Sequence, residues 1–475
     1  MIELYPFQTD LVAELRSAIR RGFRSSLLVS PTGSGKTVMF AYLVGRLAEN
    51  GFRSMIIAHR QELLAQISKT LRQFGAGHGF VAPGETYQAK PLVHVASVFS
   101  LVRRLPKIEA PDYVIVDEAH HAVEGSTWGK VLAYWRERNQ SVQVIGVTAT
   151  PQRLSGEGLR DSFSNMIMGP TVAELIEQGY LAKYKMFAPP QQLDTQSIHM
   201  RGGDFVRGEV GEAIGKPKIV GDAIAHYRKH LNGAPAIVFT PSVESAHFYA
   251  EQYRANGYRA AAIDGTSNNR REIVRDFSHG RLNLLMSCDL ISEGFDVPGA
   301  HGAQMLRPTE SLALYLQQCG RVLRTAPGKE HACILDHVGN SARHGLPDDD
   351  REWTLEGRKR EGRSDAGEPA IRQCQKCGAV TTRGAGKCPE CGLVFVIKAR
   401  KIEEVDGELA EVDRERLAFR REQGMAKGLD ALIALGKQRG YRNPEKWARH
   451  VFDARQAKRS SGAYPGRRAG GFSEE

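Results

Sequence analysis

From Ser25 to Asp336, short β-branched apolar runs alternate with longer amphipathic stretches. The runs are Ser26–Ser30, Ser54–Ala58, Leu92–Ser97, Tyr113–Val116 and Val142–Val147, then Ala236–Thr240, Tyr258–Ile263, Leu282–Ser287, Ala303–Leu306 and Ala332–Leu335. Strands of that length, mostly followed by helix-like segments, predict parallel βαβ units with helices on both sheet faces. The series splits at Tyr184–Lys216, which lacks periodicity and contains Pro189, Pro190, Gly202 and Gly203. The expected fold class is therefore α/β, with two tandem parallel-sheet domains at 1–185 and 216–345 and a connector at 186–215. After Asp336 the alternation stops. A charged, turn-rich linker is expected over 346–370, a cysteine-bearing module over 371–396, a basic helical region over 410–460 and a disordered tail over 461–475.

Composition narrows the class. The chain has 475 residues, room for two to four domains at roughly 100–200 residues each. Hydrophobic residues at 41% and charged residues at 25% are ordinary for a soluble protein. No uncharged apolar run approaches the roughly 18 residues of a membrane span. The start, MIELYPFQTD, lacks the basic-then-apolar order of a secretory signal, so a cytoplasmic protein with reduced thiols is expected. The formal net charge is +11, and residues 351–475 hold 27 Lys+Arg against 19 Asp+Glu. Residues 431–470 alone hold ten basic and two acidic side chains. Such a local excess suits a polyanion such as nucleic acid, and equally a solvated helix face.

Chemistry concentrates in three places. The segment Ser30-Pro-Thr-Gly-Ser-Gly-Lys-Thr37 joins an apolar strand to a helix starting near Lys36. Gly33 and Gly35 let the backbone of Thr32–Lys36 curl so that N–H groups point inward, and the helix N-terminus adds partial positive charge. Lys36 can reach the β- and γ-phosphates of ATP, and the Thr37 hydroxyl can ligate Mg²⁺. The strict phosphate-loop pattern asks for glycine where Ser30 stands. Second, Asp117-Glu118-Ala119-His120 follows an apolar strand, and ligands collect beyond the carboxyl ends of parallel strands. Asp117 is expected to hold Mg²⁺ through water, and Glu118 to deprotonate the attacking water. An acidic helix start is the plainer reading of the pair taken alone. Third, Cys374-x-x-Cys377 and Cys388-x-x-Cys391 offer four thiolates for tetrahedral Zn²⁺, an iron–sulfur cluster being the alternative. Cys288, Cys319 and Cys333 are expected as small core residues.

With these residues in view, PTGSGKT, AHRQELLAQ, VDEAH and TATP resemble, in that order, motifs of superfamily 2 helicases and translocases of the DEAD/DEAH type. VFTPSVESA (238–246), ISEGFDVP (291–298) and QQCGRVLR (317–324) resemble the family's fourth, fifth and sixth motifs. The resemblance covers about residues 1–340, and LRPTESLALYLQQCGRVLRTAPGKEHACILDHVGN is similar to the RadD (YejH) branch of bacterial and phage proteins. It implies two RecA-like domains with ATP in their cleft. Gln8 then recognises adenine, and Gly294 and Asp296 line the cleft. Arg321 and Arg324, beside Gln317, reach from the second domain to the triphosphate. His120, Thr148 and Thr150 couple hydrolysis to domain motion, and Arg60, Ser97, Thr240 and Thr266 hold a nucleic-acid strand by its phosphates. A pair of surface arginines remains the plain alternative for Arg321 and Arg324.

The expected function is an ATP-dependent motor on nucleic acid, DNA in particular, in repair, recombination or replication. A single-stranded-DNA-binding protein is the candidate partner implied by the RadD resemblance, and no membrane partner is expected. Two rivals stand beside it: an ATP-dependent DNA remodeller that does not separate strands, and a zinc-ribbon adaptor with modest ATPase.

Overall fold

The apolar runs of the first half build a seven-stranded sheet in which every pairing is parallel. Its strands are β1 (Ser25–Val29), β2 (Ser54–Ala58), β3 (His78–Val81), β4 (Val93–Ser97), β5 (Tyr113–Asp117), β6 (Gln143–Thr148) and β7 (Asn165–Met168), in the order β3-β4-β2-β5-β6-β1-β7. Side chains alternate across the pleat. Leu28, Ile56, Ile115 and Ile145 enter one core with Leu15, Phe40 and Ile67 from helices Pro6–Arg20, Lys36–Glu49 and Gln61–Gln73. Leu27, Ile57, Val116 and Val144 enter another with Trp128 and Trp135 of helix Thr127–Arg138. Cover on both faces is why the central strands are largely apolar runs. Each buried Leu, Ile or Val stabilises by roughly 1.5–3 kcal/mol.

The computed structural model describes residues 3–151, 158–188, 198–201, 204–265, 267, 269–288, 299–356, 371–382, 384–395, 426, 428–440 and 443–460. Among these, no helix is long and apolar enough to cross a membrane. Gly294, Asp296 and Thr266, and the expected tail at 461–475, lie outside the described residues.

The second sheet is also parallel, in the order β12-β13-β11-β14-β15-β8. Its members are β8 (Tyr184–Phe187), then, after the two-residue strands β9 (Met200–Arg201) and β10 (Asp204–Phe205), β11 (Ala236–Phe239), β12 (Ala260–Ile263), β13 (Leu284–Ser287), β14 (Gly302–Met305) and β15 (Ala332–Asp336). Tyr227, Tyr253 and Tyr315 fill its core from helices Pro217–His230, Val243–Ala255 and Leu312–Val322.

Two expectations about the connecting segments need correction. The stretch 186–215 is more than a connector: its first residues complete β8, β9 and β10 pair antiparallel, and helix Arg207–Ile214 buries Val210 and Ile214 in the second core. The crossing between domains falls earlier, at residues 169–171 between β7 and helix Val172–Glu177, whose Leu175 is already buried in the second core; beyond it Leu181 bridges to Arg324 and the Ala182 N–H donates to the Leu323 carbonyl at 2.7 Å. The expected linker at 346–370 is ordered over its described part, 346–356. Leu355, 5% exposed, sits in the first domain's core, and its carbonyl accepts from the N–H groups of Leu159 (2.7 Å) and Arg160 (3.0 Å).

The cysteine module is a small antiparallel pair, β16 (Ile371–Gln373) and β17 (Val380–Thr382), built against the end of β8. Phe187 bridges to Ala379, the Ala188 N–H donates to the Gly378 carbonyl at 3.0 Å, and Lys185 pairs with Glu390 at 2.7 Å. Residues 398–475 form a separate compact unit. Within it, helices Leu429–Gln438 and Pro444–Ser460 pack together with Leu432 and Ala448 fully buried, and Gly436 leaves room for Trp447. Both helices lie within the 410–460 stretch expected as a basic helical region.

Candidate active site

β1 runs into the phosphate loop, and the loop into helix Lys36–Glu49. Gly33 and Gly35 take left-handed φ values of +93° and +78°, which a side chain would strain. Ser30, standing where glycine is usual, donates its hydroxyl to the Ser34 hydroxyl at 2.7 Å and so closes the loop with a side-chain bond. The Lys36 ammonium folds back onto the carbonyls of Ser30 and Pro31, each at 3.2 Å. Desolvation lowers its pKa, while Glu118 and Asp117 pull the other way. Gln8 braces the loop: its Nε2 donates to the Ser34 carbonyl at 2.8 Å, and its Oε1 accepts from the Tyr5 N–H at 3.0 Å.

Asp117 ends β5, and Glu118 follows it with φ +49°, ψ +55°. A non-glycine residue held there costs energy and marks functional turns. Both carboxylates are 6% exposed. Burial, and then the charge of Glu118, push Asp117 up to about 7, with Lys36 opposing. Two buried carboxylates offer hard oxygen ligands, which suit a divalent cation. Glu118 opens a chain of contacts: His120 Nδ1 lies 3.5 Å from its Oε2 and 3.2 Å from Thr148 Oγ1, and the Thr148 hydroxyl donates to the Thr150 carbonyl at 2.9 Å.

The second domain closes the site from the opposite side. On helix Leu312–Val322, Gln317 Nε2 approaches Glu118 Oε2 at 3.5 Å. A Cβ on Gly320 would lie 2.4 Å from Thr32 Cβ, so the helix and the loop touch backbone to side chain. Arg324 Cγ would be 3.4 Å from a Cβ on Gly33, and Arg321 and Arg324 both act on Lys36 electrostatically. Arg270 and Glu62 add an ion pair between the domains at 2.6 Å, worth little at about 30% exposure. Arg321 and Arg324 line an open cleft with Gln8, Lys36, Thr37, Asp117 and Glu118.

Three lining groups carry no sequence signal of their own. Tyr180 meets the Tyr5 ring at a tilt, 4.6 Å away, and the Phe7 ring edge-on at 5.1 Å, beside Gln8. Lys69 and Gln73 enter from helix Gln61–Gln73. Nothing in the spacing distinguishes them from ordinary surface residues.

Of the residues assigned to strand binding, Arg60, Ser97 and Thr240 lie at or just beyond the carboxyl ends of strands. Arg60 precedes helix Gln61–Gln73, with its Nε 3.1 Å from His59 Nε2, and Ser97 ends β4. Thr240 is 0% exposed and gives its hydroxyl to the Ser242 carbonyl at 3.2 Å, so it shapes a turn rather than reaching outward. Phe99, 56% exposed just beyond Ser97, is an aromatic the motifs do not flag.

The four cysteine sulfurs lie within 4.8 Å of one another, with 3.6 Å for Cys374–Cys391 and for Cys377–Cys388. Zn–S bonds of about 2.3 Å in a tetrahedron need edges of about 3.8 Å. The cluster therefore fits one zinc ion and is too tight for a multi-iron cluster. Gly378 and Gly392 adopt left-handed φ of +78° and +71°, each turning the chain after its cysteine pair. Cys288, Cys319 and Cys333 are buried, as core residues. Purified protein is expected to carry zinc, measured by plasma mass spectrometry, and Cys377→Ser with Cys391→Ser is expected to lose it. A full metal complement in that double variant would refute the ligand set.

The family description "Type III restriction enzyme, res subunit" (ResIII) matches residues 1–153, and "Helicase conserved C-terminal domain" matches residues 215–326. A 51.5 kDa protein of Lactococcus phage (isolate 7-9) is 33% identical over 402 residues, covering 83% of this chain and 84% of its own. A Saccharomyces cerevisiae protein carrying the helicase name IRC3 is 27% identical over 360 residues, covering 71% of this chain and 52% of its own, so this chain spans about half that relative's length. Among solved structures, a fragment described as an HsdR subunit of a type I restriction enzyme from Vibrio vulnificus YJ016 superposes with a TM-score of 0.55 at 20% identity. The match covers 71% of this chain and 65% of that one. The type ISP restriction-modification enzyme LlaBIII, solved bound to DNA, gives 0.50 at 15% identity over 71% of this chain and 28% of its own.

Proposed function

Because the chain belongs to the superfamily 2 helicases, we propose that it is a motor that moves along DNA by opening and closing its two RecA-like domains on ATP. The observation that carries this reading is the approach of Gln317, Gly320 and Arg324 to Glu118 and the phosphate loop. It puts groups from both domains around one cleft. Chemical change there alters how the domains sit together.

In this reading Lys36 and the loop amides bind the β- and γ-phosphates. Glu118 takes a proton from the attacking water as its oxygen bonds to the γ-phosphorus and the bond to the β–γ bridging oxygen breaks. Arg321 and Arg324 offset the charge spread over the transferring group. Thr37 and Asp117 would hold Mg²⁺, which supplies charge neutralisation on the phosphate oxygens. Gln8 joins the adenine end of the cleft to the loop it braces. The Glu118–His120–Thr148–Thr150 chain links the reacting end to the segment after β6. Arg60 is assigned to strand phosphates and the exposed Phe99 to base stacking.

DNA is favoured because restriction enzymes recur among the relatives, and one solved neighbour is bound to DNA. The basic excess after residue 431 supports a polyanion partner. The finer assignment is the RadD branch, with a repair role and a single-stranded-DNA-binding protein as partner. ATPase rates with single-stranded DNA, duplex DNA and RNA across a salt series test the proposal. Stimulation by DNA that declines steeply with salt is expected. A rate indifferent to every nucleic acid at low salt would sink it, and stimulation by RNA alone would reassign the substrate.

A further inference from the structure

We propose that Lys329 is a positioning residue for the arginine pair, its ammonium tying off the end of helix Leu312–Val322 so that Arg321 and Arg324 stay aimed at the phosphate loop. The proposal rests on the cross-cleft reading of those two arginines. Lys329 Nζ donates to the carbonyls of Ala300 at 2.7 Å, Arg324 at 2.9 Å and Val322. An ammonium has three donors and no acceptor, and here all three are used. Two of the carbonyls belong to the helix end, where a helix leaves its last C=O groups without intrahelical partners and favours a cation. The carbonyl between them, that of Leu323, is taken by the Ala182 N–H. The backbone that carries Arg324 is thus held at three successive carbonyls. The third Lys329 contact, Ala300, anchors that end to the approach to β14.

Losing one proton changes this grip qualitatively. A neutral amine has two N–H donors and a lone pair, and that lone pair would face a carbonyl oxygen. The charged and titratable groups facing Lys329 among the described residues are the Arg324 guanidinium and the His301 imidazole, whose pKa burial and Lys329 lower. Burial, and then Arg324, lower the Lys329 pKa to about 8. Since the protonated form makes the grip, the grip is complete well below pH 8 and is lost as pH rises through it.

The experiment measures kcat and KM for ATP from pH 6 to 9.5 on the full chain. It compares wild type, Lys329→Met and Lys329→Arg, with thermal melts and equilibrium binding of a fluorescent ATP analogue. Wild-type kcat is expected to fall on the alkaline side around pH 8. Lys329→Met is expected to lose ~10–100-fold in kcat, the scale of a misplaced catalytic group, with KM and ATP affinity near wild type and the alkaline limb gone. Lys329→Arg, which stays charged, is expected to carry its activity past pH 9. A folded Lys329→Met with wild-type kcat, or one that keeps the alkaline limb, would overturn the proposal. If Lys329→Met does not fold, a wild-type profile flat through pH 8–9 does the same. An inactive Arg324→Ala beside a fully active Lys329→Met would discard this inference and leave the motor reading standing. An active Arg324→Ala would remove the foundation of both.

Discussion

Glu118→Gln is expected to bind ATP and scarcely hydrolyse it, with turnover reduced by ~10²–10⁴, the usual contribution of a positioned general base. Glutamine keeps the shape and one acceptor oxygen, so the 3.5 Å approach from Gln317 and the contact with His120 can persist. What disappears is the group able to take the water's proton. The substitution also removes the carboxylate that, after burial, does most to lift Asp117 to about 7. Asp117 then ionises more readily, and affinity for Mg-ATP is expected to hold or rise. Phosphate release and equilibrium binding of a fluorescent ATP analogue measure the two effects. Lys36→Ala gives the contrasting result: it removes the ammonium that folds over the loop, so binding is lost together with turnover. Hydrolysis surviving in Glu118→Gln at the parent's rate would falsify the assignment of the base.

Arg321→Ala and Arg324→Ala are each expected to cost ~10³-fold or more in turnover, the range of an arginine that stabilises a transferring phosphoryl group. The phosphate loop, Lys36 and Asp117 all belong to the first domain, so ATP is still expected to bind. Lysine is a poor substitute at either site, because a compact ammonium cannot bridge two phosphate oxygens as a planar guanidinium does. Single-turnover hydrolysis at saturating ATP isolates the chemical step. A fluorophore pair spanning the domains reports whether ATP still draws them together. Normal single-turnover rates in both variants would mean that the second domain only stands near the site.

The legibility of the sequence follows burial. The central strands appear as unbroken apolar runs because helices cover both their faces. β3, β7 and β8 have no such signature, and all three are sheet edges with only one or no fully buried position in most of their length. The phosphate loop, the acidic pair and the cysteine pairs are local patterns whose spacing states their chemistry. Contacts made by backbone atoms leave no such trace. The grip of Lys329 on three carbonyls and the bond from Ala182 to Leu323 exist only once the second domain is folded, and the seating of Gly320 on Thr32 only once the two sheets face each other. Gln8 stands between these cases: its position is readable, while its double hydrogen bond to the loop and the helix start is not.

The return of Leu355 into the first domain has a mechanical meaning. The chain leaves the second domain after helix Asn340–His344 and is stiffened by Arg351, whose guanidinium holds the carbonyls of His344, Leu346 and Asp349. It is then pinned at Leu159 and Arg160. The two lobes are consequently leashed at both ends of the second domain, by residues 169–171 on one side and by this short stay on the other. Wide splaying would require extracting a leucine from its socket, at roughly 1.5–3 kcal/mol. Smaller strokes load the stay instead, and its tension lands on residues 159–160, on the stretch between β6 and β7.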